Sequence, residues 1–322
     1  MKKAMKTWLV IGIVLILIGC AVFGGVMMML DWDFSKLSTD HFETNEHTVG
    51  EDFHSIAVDT KIAAVLLVPS EDGACRVVCH EKTKVRHSVA VTDGVLTVQA
   101  VDTRKWYEHI SLFEFASPQI TVYLPIEAYT SLTVKGSTGA VELPANFEFE
   151  RIDVSVSTGK ITCRASASVG AKLSTSTGEI DVQNASFGAL ELSVSTGNVT
   201  ASGVACTGDV SIGVSTGKAN LTDVTCKNLI SEGSTGDISL KNVIASEGFS
   251  IERDTGDVKF DGCDAAEIFV KTDTGDVVGS LLTEKVFITK TDTGRIKVPS
   301  SVTGGRCEIT TDTGDIQISV LS

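Results

Sequence analysis

Four Asp-Thr-Gly triplets are the residues whose type and order most closely match a known catalytic motif. They begin at Asp254, Asp273, Asp292 and Asp312. Aspartic proteases use this triplet, and they need two carboxylates brought face to face to share one proton. Here the four triplets continue a series that reads Ser-Thr-Gly in six earlier copies. The position therefore requires a turn residue rather than an acid, and we do not expect a protease.

The change from serine to aspartate nevertheless concentrates negative charge. If the triplets stack, the four aspartates lie about one strand spacing apart, about 4.8 Å. The position after each glycine adds Asp237, Asp257, Asp276 and Asp315, interrupted by Arg295. Close carboxylates repel unless a cation lies between them, and oxygen ligands suit Ca²⁺. We expect weak Ca²⁺ binding here and no other cofactor; the alternative is an exposed acidic edge screened by salt.

Cysteines offer a second possible chemistry. Cys75, Cys79 and His80 contain zinc-ligand types, but they lack a second matching pair, so the zinc signal is weak. Cys206 and Cys226 occupy equivalent positions of adjacent repeats and should be stacked neighbours, either as a disulfide or as small core residues. Three more, Cys163, Cys263 and Cys307, fall on or near inward positions.

Imidazole and large aromatic side chains are confined to the first part of the chain. All six histidines precede the repeats, and the last Trp or Tyr is Tyr129. The repeats therefore lack a histidine base and a Trp or Tyr platform for stacking, and we expect no enzyme. The Trp106-Tyr107-Glu108-His109 segment has binding-site character; its alternative is a partly buried aromatic patch.

The composition narrows the class of protein further. The chain has 322 residues, 43% of them hydrophobic, and a net charge of −14. Such a chain can bury a core, and its acidity disfavours the phosphate backbone of nucleic acids as a partner.

These residues are positioned by a sequence repeat of nearly constant length. Ten Ser/Asp-Thr-Gly triplets follow one another at spacings of 19 or 20 residues, and they end at Gly139, Gly159, Gly178, Gly197, Gly217, Gly236, Gly256, Gly275, Gly294 and Gly314. Ser or Asp favours a turn, and glycine there takes a left-handed conformation that strains other residues.

Apolar residues alternate at period two on both sides of each glycine. Positions −7 and −5 hold pairs such as Ile152 and Val154, and positions +2 and +4 hold pairs such as Ile180 and Val182. A weaker pair follows near +7 and +9. Each repeat therefore contains short strands with one buried face. Antiparallel hairpins fit this pattern, but the near-constant length favours an all-β, single-stranded parallel β-solenoid of about ten coils.

An apolar segment precedes the β region. Trp8 to Leu30 carries no charge; it follows three lysines and ends at Asp31. This predicts one transmembrane helix with the basic end in the cytoplasm and the rest of the chain on the extracellular face. The alternative is a lipoprotein acylated at Cys20 of the Leu17-Ile18-Gly19-Cys20 lipobox.

The chain is therefore divided into four regions. These are the cytoplasmic start and helix over 1–30, a stalk over 31–50, degenerate coils or a β-cap over 51–130, and the solenoid over 131–322.

The end of the chain predicts an open edge. Ile316, Ile318 and Val320 form a final strand without an evident cap, and unpaired edges recruit partners. We expect self-association or ligand binding through this C-terminal edge strand.

From about residue 50 to 322 the sequence resembles the DUF4097 "putative adhesin" family of Gram-positive bacteria. The resemblance rests on the N-terminal helix, the Ile120–Pro125 strand with Leu132-Thr133-Val134 after it, and the Ser/Asp-Thr-Gly-Asp-Ile/Val turns. It implies a surface-exposed, β-helical envelope protein. We expect a non-enzymatic adhesin-like or structural module that binds an unidentified envelope or surface ligand. The alternative is a regulator that senses envelope stress through a membrane partner.

Overall fold

The computed structural model describes residues 2–32, 42–105 and 117–321 of the chain. Within them, the one helix is α1, Lys2–Met29. Its Lys6–Met29 part is 24 residues long and has a mean hydropathy of 2.9; its side chains are largely exposed, although Met27 is buried. It continues without a break through Cys20, and at about 1.5 Å per residue it is long enough to cross a bilayer. Such a helix serves as a membrane anchor or as a signal peptide.

The rest of the described chain consists of strands that wind into coils. The first nine are β1 (Phe42–Val49), β2 (Ser55–Thr60), β3 (Ala64–Pro69), β4 (Cys75–Lys82), β5 (Val85–Thr92), β6 (Val95–Asp102), β7 (Gln119–Leu124), β8 (Ala128–Thr138) and β9 (Val141–Leu143). The next eight are β10 (Glu148–Cys163), β11 (Ser166–Gln183), β12 (Ser186–Phe187), β13 (Leu190–Cys206), β14 (Val210–Thr216), β15 (Ala219–Thr235), β16 (Ile238–Thr255) and β17 (Val258–Thr274). The last five are β18 (Val277–Leu281), β19 (Lys285–Thr293), β20 (Ile296–Lys297), β21 (Gly305–Thr313) and β22 (Ile316–Val320).

Successive coils pair in parallel and in register. Gly159 of β10 lies opposite Gly178 of β11, which lies opposite Gly197 of β13. This confirms the parallel solenoid and excludes a series of antiparallel hairpins. The expected inward positions are also confirmed, since Ile152, Val154, Ile180 and Val182 are all buried, as are their equivalents in the neighbouring coils.

Five consecutive coils have a second corner that the sequence pattern did not indicate. Six residues after the repeat glycine, the chain turns at Asn184, Gly203, Asp223, Asn242 and Gly262, which have φ values of 50°, 63°, 54°, 51° and 63°. Asn, Asp and Gly tolerate this left-handed conformation better than other residues. The corner separates the strand segment at +2 to +4 from a third segment near +7 to +9.

The C-terminal end of the solenoid is interleaved. β21 pairs with both β17 and β19, and β22 pairs with both β18 and β20. The last coil of the chain therefore lies between the coils of Gly275 and Gly294. The final strand is not an edge strand, which corrects the expectation of an open C-terminal edge. The reason is burial: Cys307, Ile309, Ile316 and Ile318 are at most 4% exposed in this arrangement.

The opposite end of the solenoid has the same interleaved order. β2 lies between β6 and β8, and β3 lies between β7 and β9, all in parallel. Two antiparallel strands, β4 and β5, then pair with β7 and β6. Region 51–130 therefore contains both coil strands and cap strands.

Residues 42–49 differ from the expected stalk. They form β1, which pairs antiparallel with β4 along its whole length. Its inward positions include polar residues such as Glu43, Asn45 and His47, so the segment carries no hydrophobic alternation. Pairing with β4 satisfies backbone groups that would otherwise form an unpaired edge.

Candidate binding site

The repeat glycines form one column along a corner of the solenoid. In stacking order it ends with Gly256, Gly275, Gly314 and Gly294. A Cβ added to Gly197 would lie 1.7 Å from the carbonyl oxygen of Gly178. The φ of Gly197 is 139°, a value that L residues rarely adopt. Glycine is thus required at this position for two reasons: the backbone conformation and the close approach of the neighbouring coil.

The four aspartates of the Asp-Thr-Gly triplets lie on the outside of this corner. All are exposed, and the stacking order places Asp312 between Asp273 and Asp292. Asp292 makes an ion pair of 3.1 Å with Lys290. Weak Ca²⁺ binding along this edge stays a prediction, and a melting temperature that rises in millimolar Ca²⁺ relative to EDTA would support it.

The carboxylates one residue after the glycines form a hydrogen-bonded ladder. The backbone N–H of Asp257 donates to Asp237 Oδ1 at 3.2 Å, and that of Asp276 donates to Asp257 Oδ1 at 3.0 Å. Asp315 N donates to Asp276 at 2.7 Å, and Arg295 N donates to Asp315 at 2.9 Å. These acidic side chains therefore join coils through backbone donors.

A cation pairs with the carboxylate at each end of this ladder. Lys218 Nζ lies 3.0 Å from Asp237, and an Arg295 guanidinium nitrogen lies 2.7 Å from Asp315. The Lys218 ammonium and the Asp257 N–H hold the pKa of Asp237 below its usual value. Arg295 has the same effect on the pKa of Asp315. The repulsion expected within the ladder is thus offset by protein groups.

An apolar groove crosses the third strand segments of successive coils. This open groove has a volume of about 840 Å³, and its floor includes Tyr129, Phe149, Ala167, Phe187 and Cys206. These residues are buried and in register, since Phe149 pairs with Tyr129 and Ala167, and Phe187 pairs with Ala167 and Cys206. Exposed polar side chains border it: Glu148, Glu150, Ser168, Ser186 and Thr207. An apolar floor with a few polar groups at its border is typical of small-molecule and peptide sites.

Stacked rings hold one end of the floor in place. The ring centroids of Tyr129 and Phe149 are 5.7 Å apart, and those of Phe53 and Tyr129 are 6.0 Å apart. The Tyr129 hydroxyl donates to the Pro125 carbonyl at 2.9 Å, and burial raises the pKa of Tyr129. Such ring pairs stabilise by about 0.5–1.5 kcal/mol beyond their buried area. Tyr129 is therefore a fixed part of the groove.

The cysteines are free thiols in the structure, and all but Cys20 are buried. Cys163, Cys263 and Cys307 are fully buried, which confirms them as core residues. Cys206 and Cys226 lie in adjacent coils, because their preceding residues Ala205 and Thr225 pair. Burial raises the pKa of Cys206 to about 12 and that of Cys226 to about 11.

The Cys75, Cys79 and His80 combination, for which the sequence carried only a weak zinc signal, does not form. Cys75 and Cys79 point inward from β4, whereas His80 stacks on Phe42 with ring centroids 5.2 Å apart. Cys79 instead meets Glu81 and His87, and the potential ligand atoms of the three all lie within 4.8 Å of one another. The Trp106–His109 segment lies outside the described residues.

Comparison with known proteins identifies the family. The sequence profile of the Toastrack DUF4097 family matches residues 53–212 and 205–322. The chain belongs to this family. No curated protein is a significant match to it.

Several solved structures resemble this DUF4097 chain at low sequence identity. A "putative adhesin" from Bacteroides fragilis is 15% identical, with 87% of this chain and 97% of the other covered and a TM-score of 0.42. A "putative adhesin" from Parabacteroides distasonis is 12% identical, covers 87% and 98%, and has a TM-score of 0.46. A "putative lipid binding protein" from the same species is 12% identical, covers 88% and 98%, and has a TM-score of 0.38.

Two features of this Toastrack chain were not predicted from its sequence. The groove depends on the register of the third strand segments, where the apolar signal is weak and small residues such as Ala167 interrupt it. The Cys79, Glu81 and His87 cluster depends on the β4–β5 hairpin. One signal was available, since Cys75, Cys79 and Glu81 share the inward face of one strand, on which a glutamate is unusual.

Proposed function

We propose that this protein is a membrane-anchored, extracellular and non-enzymatic binding module of the envelope of a Gram-positive bacterium. Its mode of action is adhesin-like, in that a rigid solenoid presents one surface repeated from coil to coil. The groove over Tyr129, Phe149 and Phe187 carries the proposal. Its volume of about 840 Å³ suits a small ligand or a short extended segment.

The apolar helix supports the membrane anchor and the orientation. Lys2, Lys3 and Lys6 precede the apolar stretch, and Asp31 follows it. Lysines are favoured on the cytoplasmic side of a membrane span. The solenoid follows the acidic side of the helix, which supports a location on the outer face.

The chemistry of the groove supports binding without catalysis. Its lining offers hydroxyls such as Ser168, Ser186 and Thr207, together with Glu148 and Glu150. A hydroxyl nucleophile needs an adjacent base to become reactive. Among the described residues that line the groove there is no histidine. Its polar groups are suited to fixing the orientation of a ligand.

Blocking the groove tests the proposal. Cells that express the full chain are treated with protease from outside to confirm exposure of the solenoid, and binding to purified wall fragments and to lipid vesicles is measured separately. Ser186→Trp places a large ring at the exposed border and should weaken binding about tenfold, which corresponds to about 1.4 kcal/mol. Ser155→Trp, an exposed serine outside the groove, is the matched control.

The outcomes separate the candidate functions. Equal binding by both variants would contradict a ligand in the groove. A response of an envelope-stress reporter that depends on the protein, without any surface binding, would instead favour the sensing alternative.

A further inference from the structure

A buried cluster in the N-terminal cap has the ligand types of a transition-metal site. Cys79 and Glu81 point inward from β4, and His87 comes from β5. Their exposed fractions are 0%, 1% and 6%. We propose that Cys79, Glu81 and His87 bind one divalent transition-metal ion of the zinc class. A thiolate, an imidazole and a carboxylate are the three side-chain types that Zn²⁺ takes.

The distances suit a single ion. The potential ligand atoms of the three residues lie within 4.8 Å of one another, and His87 Nδ1 lies 2.7 Å from Glu81 Oε2. Zinc lies about 2.0–2.2 Å from nitrogen and oxygen and about 2.3 Å from sulfur. An ion between the three side chains therefore needs only small movements of their ends. Three protein ligands leave one tetrahedral position for water or a further ligand.

Neighbouring side chains hold the outer atoms of two ligands. His87 Nε2 lies 3.1 Å from Thr60 Oγ1, and Glu81 Oε1 accepts a hydrogen bond of 2.8 Å from Asn45 Nδ2. Histidine ligands of metals usually donate their other ring N–H in this way, and such contacts fix the orientation of the ring. Thr60 on β2 and Asn45 on β1 thus complete the surroundings of a metal centre.

The charges and protons balance. The ion bonds to Cys79 Sγ, Glu81 Oε2 and His87 Nδ1, and the thiol proton leaves to solvent. The ring proton is carried on Nε2, where it donates to Thr60 Oγ1. One thiolate and one carboxylate then neutralise the two positive charges of the ion. Neutrality matters here because an unbalanced charge is costly to bury.

Cobalt substitution tests the site in the full chain kept in detergent. After treatment with EDTA, one Co²⁺ per chain should bind and give a thiolate-to-cobalt charge-transfer band, which Zn²⁺ then removes. Cys79→Ser and His87→Gln should abolish the band. Cys75→Ser is the matched control, because Cys75 is a buried inward cysteine of the same strand outside the cluster, and it should keep the band.

Two further measurements test the site without removing any of its three ligands. X-ray absorption of the zinc-loaded wild-type protein should show one sulfur and the remaining ligands nitrogen or oxygen. Thr60→Val, which leaves all three ligands in place, should weaken zinc binding about 10-fold to 100-fold. A folded wild-type protein without a charge-transfer band, or a band that survives in Cys79→Ser, would overturn the assignment.

Discussion

At the scale of single residues, the corner at each repeat glycine combines two kinds of contact between coils. The glycine allows the backbones to approach, as at Gly197, where no Cβ fits. Where the next residue is Asn or Asp, its side chain accepts a hydrogen bond from the following coil, as Asp237 Oδ1 does from the Asp257 N–H. The short Ser/Asp-Thr-Gly-Asp sequence is therefore best explained by coil stacking.

Replacing a glycine of this column should strongly destabilise the folded protein. In Gly197→Ala the added Cβ meets the Gly178 carbonyl oxygen, and the positive φ is strained. We expect a loss of about 3 kcal/mol or more in the free energy of unfolding, measured by urea denaturation. Gly213→Ala is the control, because its Cβ has only Ser193 Oγ nearby, at 3.8 Å. Similar losses in both variants would contradict the role of close stacking.

The ladder of carboxylates predicts a dependence of stability on pH. The folded pKa of Asp237 is lowered, so its contribution is present at neutral pH and is lost as the pH falls below about 4. Between pH 7 and pH 3, Asp237→Asn should therefore lose less stability than the wild type. The effect should be below about 1 kcal/mol, since the carboxylate is partly exposed and screened.

Thermal unfolding at the two pH values measures this effect. Asp254→Asn serves as the control, because the exposed Asp254 carboxylate lies outside the ladder and makes no side-chain hydrogen bond or ion pair within the described residues. Its pH profile should follow that of the wild type. An Asp237→Asn profile that also follows the wild type would argue against the ladder.

At the scale of elements, the two ends of the solenoid share one arrangement, in which a strand from one end of the chain is inserted between two other coils. β22 lies between β18 and β20, and β2 lies between β6 and β8. The outermost C-terminal coil has Thr289 at an inward position where the coil beneath it has Ile309. The more polar coil thus lies at the end, as repeat proteins require of their terminal units.

Deleting the last strand should disturb two coils. A chain that ends at Asp315 removes a strand from between β18 and β20, so both lose backbone partners. We expect faster amide hydrogen exchange across Val277–Leu281 and Ile296–Lys297. Deletion of Ser322 alone is the control and should leave exchange unchanged. Protection of Val277–Leu281 that survives the longer deletion would show that β22 does not support this end.

At the scale of the whole molecule, the apolar helix and the solenoid contribute separately. The helix is exposed over most of Lys6–Met29, with Met27 buried near its end, whereas the solenoid has one continuous core from Ile56 to Ile318. Stability should therefore come from the stacked coils, and membrane attachment from the helix.

Removing residues 1–32 should separate these two properties. We expect the shortened chain to remain in the aqueous phase and to keep its β-type circular dichroism and its melting temperature within a few degrees. The full chain should partition into detergent. A leucine-to-alanine change at exposed Leu15 leaves the span long enough and controls for nonspecific effects. Unfolding of the shortened chain would show that the helix belongs to the core.

The sequence by itself determined the periodic part of this protein. Constant spacing and period-two alternation are local signals repeated ten times, so they predicted the parallel coils, the inward residues such as Ile152 and Ile180, and the glycine column. The helix followed from length and composition alone. These features depend on each residue and its near neighbours.

Only the tertiary structure decided how the periodic units are ordered and what surrounds them. Parallel strands present equivalent backbone groups, so spacing could not show that Thr274 pairs with Thr313 rather than with Thr293. In the folded chain, the outermost coil is the one with Thr289 at the inward position where the coil beneath it has Ile309. The groove and the Cys79, Glu81 and His87 cluster likewise arise from residues that meet only after long-range pairing, for which a single sequence carries no periodic signal.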